Sequence, residues 1–146
     1  MEHIQLATSL ALKAYSKGEV PVGAVIVKDN KIISKAYNKR EKSQVATHHA
    51  EILAIEKACK KLKSWRLDDC DIYVSLEPCP MCAGAIINAR IKNLFYAATD
   101  ETSGGISRFN LTTNTLNHTT NTVHLKEYEE ENKQIIKQFF KEKRKK

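Results

Sequence analysis

Two short stretches of this chain hold residue types that can do chemistry together: His49-Ala50-Glu51 and Pro78-Cys79-Pro80-Met81-Cys82. Cysteines three residues apart on the first turn of a helix present both thiols to one point. A helix N-terminus also favours thiolates, because its unpaired amides and the macrodipole stabilise negative charge there. Pro80 suits the first position of such a helix, where its missing N–H costs nothing. One histidine from a second helix start would give a Cys2His set with an open fourth position, the pattern of catalytic zinc; structural zinc fills all four. Glu51 follows His49 by two residues, so the pair can share a site only where their helix begins. A carboxylate beside an ion that activates water is placed for general acid–base work.

Other chemistries share the bare Cys-x-x-Cys spacing. A redox pair needs no His-x-Glu on a separate helix, and a structural zinc knuckle needs a fourth ligand. His48 is the nearest spare, but its adjacency to His49 makes a joint grip awkward, and it reads as a loop residue. Cys59 and Cys70 have no partner spacing and read as small buried hydrophobes.

The elements that must position these groups are legible in outline. Ile4, Ala7, Leu10, Ala11, Ala14 and Tyr15 form a helical stripe ended by Gly18. Residues 22–27 are an apolar strand; a turn at Asp29-Asn30-Lys31 leads into a second strand, residues 31–37. Residues 39–46 read as polar loop, and a helix over 49–61 places Ile52, Ile55, Cys59 and Leu62 on one face. A strand over 71–76, a helix over 80–90 and a strand over 93–98 follow. Residues 100–122 show little periodicity, a loop length that in a compact domain is usually functional or disordered. A last helix, about 127–146 with its basic end, puts Tyr128, Ile135, Ile136, Phe139 and Phe140 on one face. Short apolar strands alternating with helices predict an α/β fold with a partly parallel sheet between helices.

Length and composition bound the rest. With 146 residues, one domain over 1–146 is expected, long enough to bury roughly 68–70% of its unfolded surface. The 42% hydrophobic and 28% charged content fits a globular protein and argues against a collagen-like or disordered chain. There is no apolar run of about 18 residues, so no membrane span is expected. Met1-Glu2-His3-Ile4 does not begin a secretory signal, and the expected location is cytoplasmic. The net charge is +7, with five cations in Lys141-Glu142-Lys143-Arg144-Lys145-Lys146, a balance that suits a polyanionic partner.

His49-Ala50-Glu51 followed by Pro78-Cys79-x-x-Cys82 resembles the signature of the zinc-dependent nucleobase deaminases. The resemblance extends through Glu19-Val-Pro-Val-Gly-Ala-Val25, Asn38, Ser64-Trp65-Arg66-Leu67, Tyr73-Val-Ser-Leu-Glu-Pro-Cys79 and Met81-Cys-Ala-Gly-Ala85. These segments are similar to the bacterial tRNA-specific adenosine deaminases, over roughly residues 4 to 100 and more loosely over the last helix. The resemblance implies a three-layer α/β/α, cytidine-deaminase-like fold with a central mixed sheet of about five strands. It implies one Zn2+ per subunit on His49, Cys79 and Cys82, with Glu51 as proton shuttle. Asn38, Ala50, Asp100, Asn117 and His118 would bind the substrate, and Phe140, Lys143 and Arg144 the RNA. The implied reaction is hydrolytic deamination of adenosine to inosine at wobble position 34 of an arginine tRNA, by a homodimer that binds the anticodon stem-loop. The chain departs from the family pattern at Ala46-Thr47-His48, Thr102, Leu116 and Thr119, mostly within polar loops. A deaminase of a free base or nucleoside, guanine or cytosine, is the alternative, since guanine deaminases also resemble Glu77-Pro-Cys-Pro-Met-Cys82. A zinc-stabilised RNA-binding subunit without catalysis is a third, and the presence of Glu51 counts against it.

Overall fold

A computed structural model describes residues 2–100, 102–106 and 118–144, the last without its side chain. A five-stranded sheet in the order β2-β1-β3-β4-β5 runs through it. The chain enters through helix α1 (His3–Ser16) and the hairpin β1 (Gly23–Lys28) and β2 (Lys31–Tyr37). Asp29 and Asn30 join these strands with φ of 51° and 62°, the paired left-handed conformation whose twist matches a tight hairpin. A four-residue helix α2 (Arg40–Ser43) and helix α3 (Ala50–Leu62) precede β3 (Cys70–Leu76). Helix α4 (Pro80–Asn88) then crosses to β4 (Asn93–Ala98), and β5 (Asn121–His124), a short 3₁₀ turn (Lys126–Tyr128) and α5 (Glu129–Arg144) complete the order.

β1 pairs antiparallel with β2 and β3, while β3–β4 and β4–β5 are parallel. The mixed sheet follows from the connections: a two-residue turn permits only an antiparallel pair, and the α4 crossover permits a parallel one. Both faces are covered, which is why β1 reads as a continuous apolar run. Its alternate residues divide between two cores. Ala24 and Ile26 join Ala50, Ala54, Ala58 and Ile86 of α3 and α4, whereas Val25 and Val27 join Ile4 and Ala7 of α1. This is the three-layer arrangement with a five-stranded mixed sheet expected above.

Three local expectations change. The segment 39–46 is not wholly loop: α2 forms there because its free amides find acceptors outside the helix. The fifth strand, β5, begins at the end of the stretch 100–122 that carries no periodicity and runs two residues past it; only four residues long, it is an edge strand specified by pairing to β4. On α3 the residues turned to the sheet are Ala50, Ala54 and Ala58, all fully buried, while Ile52, Ile55, Cys59 and Leu62 are half-buried along its flank. Small side chains bring the helix close enough for Ser34 Oγ to donate to the Ala54 carbonyl at 2.7 Å. Gly23 serves the other face in the same way. A Cβ there would stand 2.1 Å from the Ala7 carbonyl oxygen and 2.9 Å from the Ala11 nitrogen.

Candidate active site

The parallel strands β3 and β4 end at Leu76 and Ala98, side by side. Beyond β3 the chain passes through Glu77 and Pro78 to Cys79, which is the N-cap of α4 with extended φ and ψ of −70° and 172°. Pro80 occupies the first helical position and Cys82 the third. His49 is likewise the N-cap of α3, at −72° and 156°, followed by Ala50 and Glu51 in its first turn. Two helices thus begin at the same place, with their positive ends and free amides converging on it.

There His49 Nδ1 lies 3.7 Å from Cys79 Sγ and 3.6 Å from Cys82 Sγ, and all three donor atoms fall within 4.8 Å of one another. In a tetrahedral centre with metal–sulfur and metal–nitrogen bonds of about 2.3 and 2.05 Å, sulfur and nitrogen stand about 3.6 Å apart. The donor set and its spacing therefore fit a tetrahedral metal ion. Electrostatics point the same way. A hydrogen bond from Cys82, helped by His49, lowers the Cys79 thiol to about 4, while the same bond and burial hold Cys82 well above the ordinary thiol value. Contact with the Cys79 sulfur raises His49. One thiolate is thus ready for a cation, and the second thiol must shed its proton as the ion arrives.

Glu51 is 3% exposed and lies against Cys82. Burial, reinforced by the negative charge of Cys79, pushes its carboxyl up to about 7. A carboxyl so tuned can both take and give a proton at neutral pH. With His49 and Cys79 it lines a cavity of about 150 Å³, together with Asn38, Asp100 and Ser103. Asp100 and Ser103 also line a cleft of about 530 Å³, whose far wall includes Lys133, Lys137 and Phe140 of α5. A third hollow, of about 300 Å³, joins Asn38 and Arg40 to Phe140 and Lys143.

The structure sorts the expected site residues. His49, Glu51, Cys79, Asn38 and Asp100 meet around one cavity, and Cys82 completes the donor group. Asn38 is pinned by its own amide: Nδ2 donates to the Val20 carbonyl at 3.2 Å, and Oδ1 accepts from Arg40 N at 3.1 Å. One N–H and one lone pair are left for a ligand. The Asp100 carboxylate accepts from the amides and hydroxyls of Thr102 and Ser103. Burial raises its pKa, but these bonds outweigh burial and hold it below the usual value.

The structure narrows one expectation and corrects another. The Ala50 methyl is fully buried in the core beneath α3, so any substrate contact from this residue is through its backbone. His118 is not at the cavity. Its ring bonds the Ile91 carbonyl at 3.0 Å, at the opposite end of β4 and about 20 Å away at 3.3 Å per strand residue; the parallel pairing of β4 and β5 carries the chain back to that end before β5 begins. Asn117 and the side chain of Arg144 lie outside the described residues. Phe139 is buried with its edge against Tyr15, whereas Phe140 is 41% exposed at the mouth of the clefts, beside Lys143. His48 bonds Ser43 Oγ at 2.8 Å and stands outside the donor group, as a loop residue. Cys70 is fully buried and Cys59 half-buried.

Sequence reasoning missed two buried carboxylates that hold the site's walls. Glu19, 2% exposed, accepts from the amides of Glu41 and Lys42 at 3.0 and 2.8 Å, and Glu77, also 2% exposed, accepts from those of Asp100 and Ile106 at 3.0 and 2.9 Å. Both lie inside segments that carry the family resemblance, but a glutamate abutting an apolar stretch by itself reads as surface.

Comparison with known proteins places this arrangement. Residues 1–144 match the family model described as MafB19-like deaminase. The chain is 44% identical to the tRNA-specific adenosine deaminase of Aquifex aeolicus (strain VF5) over 141 residues, covering 94% of this chain and 91% of that one. A structure solved in a study of A-to-I editing by tRNA:A34 deaminases at the wobble position of transfer RNA superposes with a TM-score of 0.87. It is 38% identical and covers 91% of this chain and 97% of the other. The guanine deaminase structure from Bacillus subtilis is 39% identical, but superposes at a TM-score of 0.67 over 87% of this chain and 88% of that one.

Proposed function

Since the chain belongs to the MafB19-like deaminase family and with the tRNA-specific adenosine deaminases, we propose that it deaminates adenosine to inosine at wobble position 34 of an arginine tRNA. The observation that carries the reading is the convergence of His49, Cys79 and Cys82 within 4.8 Å, with buried Glu51 on the same small cavity. One Zn2+ per subunit, held by those three residues, would supply an activated water at neutral pH, lowering its pKa from about 15.7 to about 7. Glu51 moves the protons. Its carboxylate takes the first proton shed as water adds to C6 of the base and passes it to N1, then takes the second proton from the C6 hydroxyl and gives it to the departing amine, so that ammonia leaves and the C6 carbonyl forms. A carboxyl held near neutrality suits both halves of that cycle. Asn38 offers the free half of its amide to the nucleoside, and Asp100 and Ser103 form the opposite wall.

A cavity of about 150 Å³ admits a base only after it has left its stack, which costs least in a single-stranded anticodon loop. The clefts beyond it are lined by Lys133, Lys137 and Lys143 with exposed Phe140, a combination suited to phosphates and to stacking. Further cations follow in the last residues of the chain. We read the whole of residues 1–146 as one deaminase domain acting in the cytoplasm as a homodimer; among the described residues no helix is long and apolar enough to cross a membrane.

The identity to a guanine deaminase keeps a second substrate class in view. An ammonia-release assay on the zinc-loaded protein separates the two. The substrates are an anticodon stem-loop with adenosine at position 34, the same stem-loop with guanosine there, and free guanine, cytosine and adenosine. Turnover of the adenosine stem-loop alone is expected. Turnover of a free base with none of the stem-loop overturns the reading.

A further inference from the structure

Glu77 is a buried charge that neither ligates nor transfers protons in this scheme, and it is tied to the cavity by geometry. Its two carboxylate oxygens reach opposite ends of one turn: Oε1 accepts from Asp100 N at 3.0 Å and Oε2 from Ile106 N at 2.9 Å. Between them the turn closes on itself, with Gly104 N donating to the Asp100 carbonyl at 2.9 Å, and Gly105 N donates to the Pro78 carbonyl at 2.7 Å. Packing at Gly104 leaves no room for a side chain: a Cβ would stand 2.2 Å from Glu77 Oε2 and 2.6 Å from the Asp100 carbonyl oxygen. The described residues of the turn lie in neither helix nor strand, so their half-buried amides depend on acceptors from elsewhere. Glu77 supplies two of them, as a charged acceptor, from the segment that leads into Cys79.

We propose that Glu77 is a positioning residue, whose carboxylate clamps the turn bearing Asp100 and Ser103 and so preforms the substrate wall of the cavity. This rests on the reading of that cavity as the place where the base binds. A clamped turn is competent before substrate arrives. A loosened one is competent only a fraction of the time, and the apparent affinity falls by that fraction. Once bound, the substrate itself holds the turn, so the loss appears in KM rather than in kcat.

Glu77→Gln keeps the side chain's volume but sets an NH2 group where an oxygen accepted an amide. In the zinc-loaded variant, KM for the adenosine-34 stem-loop is expected to rise tenfold or more, with kcat within twofold and metal stoichiometry unchanged. Amide hydrogen exchange over residues 100–106 should accelerate tenfold or more, while exchange in β1 stays at its wild-type rate. A merely structural role would instead lower kcat per mole of protein at constant KM. Gly104→Ala gives a second route, because it leaves Glu77 in place and forces the turn off it; the same split is expected. Unchanged exchange over 100–106, or a fall in kcat at constant KM in both variants, overturns the proposal. Should the wild-type protein leave the stem-loop untouched, the tRNA reading falls and the exchange measurement alone decides the clamp.

Discussion

Replacing Glu19 by glutamine removes one of the two oxygens on which helix α2 depends. That helix has only four residues, far below the length at which isolated helices hold together in water. Its first three amides are taken by Asn38 Oδ1 at 3.1 Å and by the two carboxylate oxygens of Glu19 at 3.0 and 2.8 Å. Glutamine keeps the shape, forfeits one charge-assisted bond and turns an N–H2 toward a backbone N–H. A bond to a charged acceptor contributes about 1.5–3 kcal/mol. Because Glu41 and Lys42 are themselves exposed, water recovers part of the loss, and the lower end of that range applies, about 1.5–2 kcal/mol. For a chain of this size that corresponds to a fall in Tm of roughly 3–8 °C. Urea unfolding of the metal-loaded protein should show a lower midpoint at unchanged slope, and proteolysis within 40–43 should quicken. Glu41→Gln, an exposed control on the same helix, should stay within about 0.5 kcal/mol of wild type. A Glu19→Gln loss no larger than that of the control would refute the reasoning, since the carboxylate would then not be what holds α2.

Glu51→Ala should retain the metal, measured by elemental analysis, while inosine formation falls by about 10²–10⁴-fold, the range for removal of a general acid–base group; appreciable residual turnover would break the assigned role. Zinc binding to the stripped protein should release at least one proton, because Cys82 is held protonated by its bond with Cys79. Its apparent affinity should therefore rise about tenfold per pH unit near neutrality, which competition with a chromophoric chelator at two pH values will show. Removing residues 141–146 deletes five cations, and the salt slope of stem-loop binding should flatten by about 0.7–0.9 for each one that contacted a phosphate; an unchanged slope would make the tail a solvated end. Gly23→Ala should cost about 1–3 kcal/mol or more in urea unfolding, since its methyl meets the backbone of α1, which cannot swing aside as a side chain could.

Much of the site was legible because it is local. Pro80 inside a helix start fixes how Cys79 and Cys82 share a turn, and two thiols with a distant His-x-Glu narrow the chemistry before any fold is known. The apolar run of β1 and the Asp29-Asn30 turn likewise announce a hairpin, since periodicity and turn chemistry act over a few residues. What the sequence left open depends on partners far along the chain. Strand β5 exists because β4 offers it a ladder, and α2 because Glu19 and Asn38 reach its amides. Ala50, Ala54 and Ala58, rather than the larger residues beside them, face the sheet because close approach of the helix favours small side chains. The Asn-His match gives order along the chain and not direction in space, so only the fold shows His118 bonded to the Ile91 carbonyl, away from the cavity. Only the tertiary structure could show Glu19 and Glu77 buried: in the sequence each is an ordinary charged residue, and a charge is tolerated inside only where folding brings backbone donors to meet it.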